Sequence, residues 1–431
     1  MIRASSKPAV DHIADEQAKP PISKKRAIMA VIVCWLLVVF DGYDLIVYGT
    51  VQSSLLAEPG WGLNAASLGT VGSMAFIGMM IGALLAGRIS DILGRRKTIL
   101  ACSITFSILT IACAFAPNAW VFGALRLFAG IGLGGLVPSA NAMVAELVPA
   151  KWRSSIATLM MSGVPIGGSL AALLGIPLIP AFGWPAMFLV AAIALFVVVP
   201  LGFKYLPETL PSETRPAPDT ATQSGPTVTG FASLLRAPYL GISVLFALAT
   251  LFTLFAWYGL GTWLPNLMER AGYDLGSALT FALSLNIGAV VGSIVTAWAG
   301  DRFGPVPAGA VAAALAGAAL LVLVTSPPVW VVYGVLILAG VGTHGTQCLI
   351  IAAVANHYPN HMRGTALGWA LGVGRFGAVA APQFGGLLLA MGFGTDSNFI
   401  AFAVGAIMAG VLLLIIAARS SRESRVHQIS A

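Results

Sequence analysis

The sequence predicts an all-α membrane protein in which twelve transmembrane helices form two six-helix bundles related as a parallel pseudo-repeat. Three observations carry this reading. Hydrophobic residues make up 58% of the chain and charged residues 9%, and the mean hydropathy is +0.90, far from an ordinary soluble domain. Apolar stretches of about 20 residues, the length that crosses a bilayer, recur along nearly the whole sequence. Two short polar motifs in the first half return in the second at one fixed spacing.

The apolar stretches place helices at 27–50, 66–87, 97–116, 119–148, 153–177, 184–206, 238–265, 277–299, 306–325, 328–356, 363–391 and 396–418. A polar run rich in Pro, Thr and Ser gives a linker at 207–237 between one bundle at 27–206 and another at 238–418, with tails at 1–26 and 419–431. Lys and Arg fix the orientation, because short cytoplasmic loops collect them. With the N-terminus inside, Lys24, Lys25, Arg26, Arg95, Arg96, Lys97, Arg153, Arg236, Arg302, Arg363 and Arg419 all fall on the cytoplasmic side, and Arg270 falls outside. Both termini are then cytoplasmic, and the localisation expected is a multi-pass protein of the cell inner membrane. The net charge of +7 is a topology signal and an attraction to anionic lipid, with no nucleic-acid partner implied. Cys34, Cys102, Cys113 and Cys348 lie inside proposed spans without metal-ligand spacing, so neither a disulfide framework nor a metal site is expected. Residues 1–26 lack the pattern of a removable signal, which leaves the first helix to act as the targeting signal.

The repeat is legible in two places. Gly87-Arg88-Ile89-Ser90-Asp91-Ile92-Leu93-Gly94-Arg95-Arg96 returns in eroded form around Gly300-Asp301-Arg302-Phe303-Gly304, and the aspartates differ by 301 − 91 = 210. Glu146 with Arg153 returns as Asn356 with Arg363, and the arginines differ by 363 − 153 = 210. Same-sense six-helix repeats are what a parallel-repeat transporter shows, with its substrate site near midplane between the halves.

At this point the chain resembles the major facilitator superfamily over nearly its full length, from Arg26 to about Arg419. Gly87-x-x-x-Asp91-x-x-Gly94-Arg95-Arg96 is that superfamily's hallmark between helices 2 and 3. Its physical sense is a cytoplasmic gate: Asp91 caps a helix N-terminus, and Arg95 and Arg96 reach Glu146. Glu146 and Arg153 match the family's gate position, and Asp301, Arg302 and Arg363 are its second-half counterparts, weakened because Asn356 stands where an acid would be. Asp41-Gly42-Tyr43-Asp44 narrows the resemblance to the aromatic acid:proton symporters, importers of benzoate-like acids. Gly374-Arg375-Phe376-Gly377-Ala378 followed by Pro382 and Gly385-Gly386 is similar to that family's helix 11, where the resemblance implies that Arg375 holds the substrate carboxylate.

The residues support those roles on physical grounds. Asp41 and Asp44 put two carboxyl groups at membrane depth, where an ionisable side chain costs roughly 2.5–3.5 kcal/mol and needs a partner or a protein-lined cavity. Three residues apart, they share one helix face. Arg126 reaches a depth of about 9 Å, as Asp44 does, at about 1.5 Å per residue. A salt bridge from Arg126 to Asp44 or to Asp41 is therefore expected, as part of proton coupling. Arg375 falls close to midplane, and no acidic residue lies in the body of the second-half helices. Its fork matches a carboxylate in bidentate fashion. His344, Gln347 and Asn286 are expected near mid-helix as cavity polar groups, and Tyr43, Trp257, Tyr258 and Trp369 as flat walls for a ring.

The function expected is secondary active import of a small aromatic carboxylate with protons by alternating access. The chain is expected to act as a monomer and to catalyse no covalent chemistry. No cofactor is expected beyond the proton gradient, since no G-x-x-x-x-G-K-[ST] run is present for ATP. An importer of aliphatic acids and an exporter of drugs or metabolites share the same frame.

Overall fold

The computed structural model describes residues 23–149, 152–208, 234–237 and 239–429. Twelve long helices follow: α1 (Lys24–Leu56), α2 (Ala65–Leu93), α3 (Arg95–Cys113), α4 (Ala119–Leu147), α5 (Arg153–Phe182), α6 (Pro185–Tyr205), α7 (Leu240–Arg270), α8 (Leu275–Phe303), α9 (Pro305–Leu323), α10 (Val329–His357), α11 (Asn360–Ala390) and α12 (Gly394–Ile429). All but α11 are apolar and long enough to cross a membrane by composition alone; α11 has the length but carries Arg375 and many glycines. Large side chains such as Leu84, Phe115, Phe182, Phe196 and Leu414 stay exposed on the outer surface, as lipid-facing residues do.

Local chemistry sets the helix ends. Asn64 and Ser67 form a reciprocal capping box at the start of α2, Asn118 caps α4 and Asp274 caps α8. Gly94 joins α2 to α3 at φ 88°, and Gly304 joins α8 to α9 at φ 87°. Positive φ favours glycine, and the two joints are 304 − 94 = 210 residues apart. The α ladder of α6 is interrupted by a π turn, Ala194–Val198, just before Pro200, which has no N–H to give.

Several boundaries differ from the sequence reading. The hallmark segment is helical through Leu93, so the hairpin is the single residue Gly94 and not a ten-residue loop. α7 and α8 run on to take in Glu269 and Asp301, and α12 continues to Ile429 through the expected tail. Backbone hydrogen bonding continues wherever no proline or glycine stops it, whereas hydropathy marks only the lipid-facing portion. The expected linker falls mostly on residues 209–233, outside those described.

Within each half, glycines let backbones touch. Gly78 and Gly82 of α2 meet α4 at Leu127 and Ile131, while Gly130 and Gly134 of α4 meet α2 at Ala75 and Met79. Gly288 and Gly292 of α8 meet α10 at Ile337 and Val341, and Gly340 meets α8 at Leu285. Gly288, Gly292 and Gly340 are each 210 residues past Gly78, Gly82 and Gly130, so the repeat extends to the packing itself.

The start of α1, the end of α12 and the Gly94 and Gly304 joints lie at one end of the bundle, called here the basic end after the Lys and Arg of these segments. The halves meet at the other end. Gly49 of α1 abuts Gly261 of α7, Gly69 of α2 abuts Pro382 of α11, and Gly386 abuts Ala65. Asn266 Nδ2 donates to Ser53 Oγ at 2.9 Å, Thr70 Oγ1 donates to Gln383 Oε1 at 2.7 Å, and Ser73 Oγ donates to the Val379 carbonyl at 2.7 Å. Shifting Gly69 and Pro382 by 210 gives 279 and 172, and Leu279 does pack on α5, against Gly175. Towards the basic end the same helices part: Gly364, Gly368 and Gly372 of α11 have no neighbour within 4 Å of where a Cβ would stand.

These contacts are weak enough to reverse. Hydrogen bonds of this kind contribute about 0.5–1.5 kcal/mol each, and functional conformations differ by a few kcal/mol. Gly69→Val would press a side chain onto the Pro382 carbonyl, at an overpacking cost of about 1–3 kcal/mol. We expect it to shift the population towards a state open at this end by roughly 5- to 150-fold. Maleimide labelling of a single cysteine at position 70, with the native cysteines replaced, should rise accordingly; unchanged labelling would show that the seam does not move.

Candidate functional site

The first half buries a complete ion pair. Arg126 Nη1 on α4 lies 2.6 Å from Asp44 Oδ2 on α1, with both side chains 2% exposed. Arg126 Nη2 also donates to the Asp44 carbonyl at 2.9 Å, and the Thr110 hydroxyl of α3 donates to Asp44 Oδ1 at 2.6 Å. The Phe188 ring of α6 sits 6.0 Å from the guanidinium carbon. Both carboxylate oxygens are satisfied, which is the condition for keeping two charges inside an apolar bundle. Of the two partners the sequence left open for Arg126, the geometry selects Asp44.

Asp41, one turn nearer the basic end, is equally buried, yet its Oδ1 has no hydrogen-bond partner. The charges that act on it are Arg375 of α11 and Asp44. Arg375 is half-buried and points Nη1 at the Met79 sulfur of α2, 3.6 Å away. Among the described residues it has no ion-pair partner. Tyr258 of α7 feels both Arg375 and Asp41, and its ring lies 4.7 Å from that of Phe76 on α2. Asp41, Arg375 and Tyr258 are thus brought together from α1, α11 and α7, across the two halves.

A cavity of about 520 Å³ opens at the basic end between the halves, walled by the last turns of α4, α8 and α10 and the first turns of α5 and α11. Its deepest lining includes Met161, Ser293, Cys348 and Leu371. Arg375 stands one turn beyond Leu371, and His344 one turn beyond Cys348, in the layer just past the lining, called here the roof. The imidazole of His344 packs 5.2 Å from Trp257 and lies beside the Met161 carbonyl of α5, with Nε2 unpartnered. Gln347 is buried with Oε1 unpartnered. Asn286 Nδ2 donates to its own helix at Ala282, and its Oδ1 faces Gly168 of α5 without a partner.

Two aromatic residues stand elsewhere. Tyr43 turns into the first half, where its hydroxyl donates to the Met187 carbonyl at 2.8 Å, since one residue along a helix from Asp44 is about 100° around it. Trp369 donates its indole N–H to the Ser243 carbonyl at 3.0 Å, between α11 and α7 near the basic end. Neither side chain is part of the roof. Thr110, Met79 and Phe76 do contribute to the two clusters, and nothing in a single sequence marks them among the many similar residues in these spans.

At the basic end Arg95 Nη2 pairs with Glu146 Oε1 at 2.6 Å, partly exposed, while Arg96 donates instead to the Phe203 carbonyl of α6. Both contacts stay inside the first half. Asp301 lines the cavity, Arg302 lies over Phe303, and Arg363 donates to the Tyr358 carbonyl. Gly94 is the hairpin joint already described; the side chains of Asp91 and Arg153, and the surroundings of Gly87, lie outside those described. Among the described residues no group of His, Cys, Asp or Glu gathers to hold a metal ion.

A sequence profile of the Major Facilitator Superfamily matches residues 34–382 and 285–429. The chain belongs to this superfamily. Within it, the chain is 56% identical over 407 residues to the gentisate transporter of Corynebacterium glutamicum, covering 94% of this chain and 90% of the relative. It is 35% identical to the benzoate transport protein of Acinetobacter baylyi, over 90% of this chain and 88% of the relative. A crystal structure of a D-xylose-proton symporter superposes with a TM-score of 0.73 at 19% identity, covering 90% of this chain and 97% of that one. The superfamily fold therefore extends over 90% of the chain, and the aromatic acid transporters are its relatives by sequence.

For this superfamily member, removing one partner of the buried pair should cost about 3–5 kcal/mol, whereas replacing both leaves no uncompensated charge. Asp44→Asn and Arg126→Gln should each lower the melting temperature in detergent, and the double variant should recover most of the loss. A double variant as unstable as the singles would show that the pair's orientation of α1 and α4, and not its charge balance, is what matters.

Proposed function

We propose that the chain imports a small aromatic carboxylate together with protons, as a monomer in the cell inner membrane with its basic end and both termini in the cytoplasm. The observation that carries this reading is Arg375, a half-buried guanidinium in the roof of the cavity with no ion-pair partner among the described residues. A cation at that depth needs an anion, and its planar fork fits a carboxylate. Phe76 and Tyr258 supply flat apolar surface beside it. Support for the substrate class comes from the relatives, which are named for gentisate and benzoate.

Proton coupling follows from Asp41. Asp41 is a buried carboxyl with an unpartnered oxygen in the field of Arg375, and an anion that neutralises Arg375 removes an attraction that favours the charged carboxylate. Carboxylate arrival therefore favours proton uptake at Asp41, and the loss of one favours loss of the other. Asp44, held by Arg126 and Thr110, keeps a fixed partner in this conformation and would join the exchange only when α1 and α4 shift. The drive is the proton gradient alone. One proton with a monovalent anion is electroneutral, and each further charge adds about 2.3 kcal/mol per 100 mV. The Arg95–Glu146 contact and its neighbours at the cavity mouth act as the cytoplasmic gate.

Uptake of radiolabelled benzoate and hydroxybenzoates into energised cells, with a panel of aromatic and aliphatic acids as competitors, tests the substrate class. Aromatic acids should compete and short aliphatic acids should not. Asp41→Asn should abolish uphill accumulation with the protein still in the membrane; full accumulation by that variant removes Asp41 from coupling. Arg375→Lys should lose affinity by about 10-fold or more, because an ammonium cannot reproduce two parallel N–H bonds. Wild-type affinity in that variant would take Arg375 out of the site.

A further inference from the structure

Two polar side chains in the roof serve no role in the carboxylate and proton scheme. Gln347 and His344 are three residues apart on α10 and so share a face. They are 7% and 4% exposed, and Gln347 Oε1 and His344 Nε2 have no hydrogen-bond partner. Leaving a buried polar atom unpaired is costly, and apolar residues of the same shape would remove that cost. The neighbours show that space is not the reason for their presence. Thr343 and Thr346, each next to one of them, bond back to the Ala339 and Gly342 carbonyls of their own helix, whereas Gln347 Oε1 and His344 Nε2 have no such partner.

Their position is specific. Cys348 and Leu371 are among the deepest residues of the cavity, and His344 and Arg375 each lie one turn beyond one of them. The repeat makes the same point from another direction: 344 − 210 = 134, and Gly134 in the first half is a plain backbone contact on Met79. At the matching position the second half has exchanged a packing glycine for a polar ring that packs on Trp257 and lies beside Met161 of the other half.

We infer that Gln347 and His344 form a hydroxyl-reading subsite, taking hydrogen bonds with ring hydroxyl groups of an aromatic acid whose carboxylate is held by Arg375. The preferred cargo is then a hydroxylated ring acid, with unsubstituted benzoate a poorer one. This rests on the carboxylate reading of Arg375 and adds the recognition of the ring's far side. A site built to bond a hydroxyl discriminates strongly against the analogue that lacks it, because its own buried groups are left unpaired.

The test compares 2,5-dihydroxybenzoate with benzoate as unlabelled competitors for uptake, and reads the ratio of their half-inhibiting concentrations. Wild type should favour the hydroxylated acid by about 10- to 100-fold. Gln347→Leu and His344→Phe should each bring the ratio towards unity, since an apolar wall no longer penalises the bare ring. Gln347→Met, close in length to glutamine, serves if the leucine variant does not reach the membrane, and ligand-induced thermal stabilisation of purified protein reads the same ratio without transport. A ratio that survives these substitutions overturns the subsite, as does a wild type that takes both acids equally. A wild type that binds and accumulates neither acid removes the aromatic-acid reading itself.

Discussion

Among the described residues Arg375 pairs with no carboxylate of its own half, and much of the arrangement follows from that. The acids that reach membrane depth, Asp41 and Asp44, are in the first half, and one of them is already committed to Arg126. What remains for Arg375 is the field of Asp41 across the interface and the weak acceptor Met79. A strong cross-half salt bridge here would lock the halves together. A pair close enough to feel each other, yet not hydrogen-bonded, leaves the interface free to separate and leaves the guanidinium available to an anion.

The two halves repeat in backbone but not in the charges they carry at membrane depth. Gly78, Gly82, Gly94 and Gly130 find counterparts 210 residues on, because close helix packing and a positive φ each require the missing side chain. The charged residues at membrane depth find none. Asp44 and Arg126 correspond to Leu254 and Leu336, both buried in the second half, and Arg375 corresponds to Pro165 inside α5. The scaffold is shared, while the buried acids Asp41 and Asp44 belong to the first half and Arg375 to the second.

Much of the fold was legible in the sequence because a bilayer imposes length, apolarity and the sidedness of Lys and Arg. The depth of Asp44 and Arg126 followed from counting residues along two helices, since rise per residue is fixed. Direction around the helix was harder. Tyr43 lies between Asp41 and Asp44 in sequence, and its ring goes the other way, into Met187. Trp369 has the composition of a cavity wall and is spent tying α11 to α7. The segment from Gly87 to Leu93 reads as a polar loop, yet nothing in it lacks an N–H or demands a positive φ until Gly94. Phe76, Met79 and Thr110 carried no signal, because their importance comes from neighbours far away in the chain.

The cavity is large for a single-ring solute, and its volume has a kinetic meaning. One molecule confined to about 520 Å³ is present at an effective concentration on the order of molar. A solute that lets go of the roof therefore re-encounters it many times before it drifts out of the mouth. Under the proposed scheme, unloading is paced by how loosely the roof grips its solute, with the width of the exit a secondary matter, and turnover trades against tightness of binding.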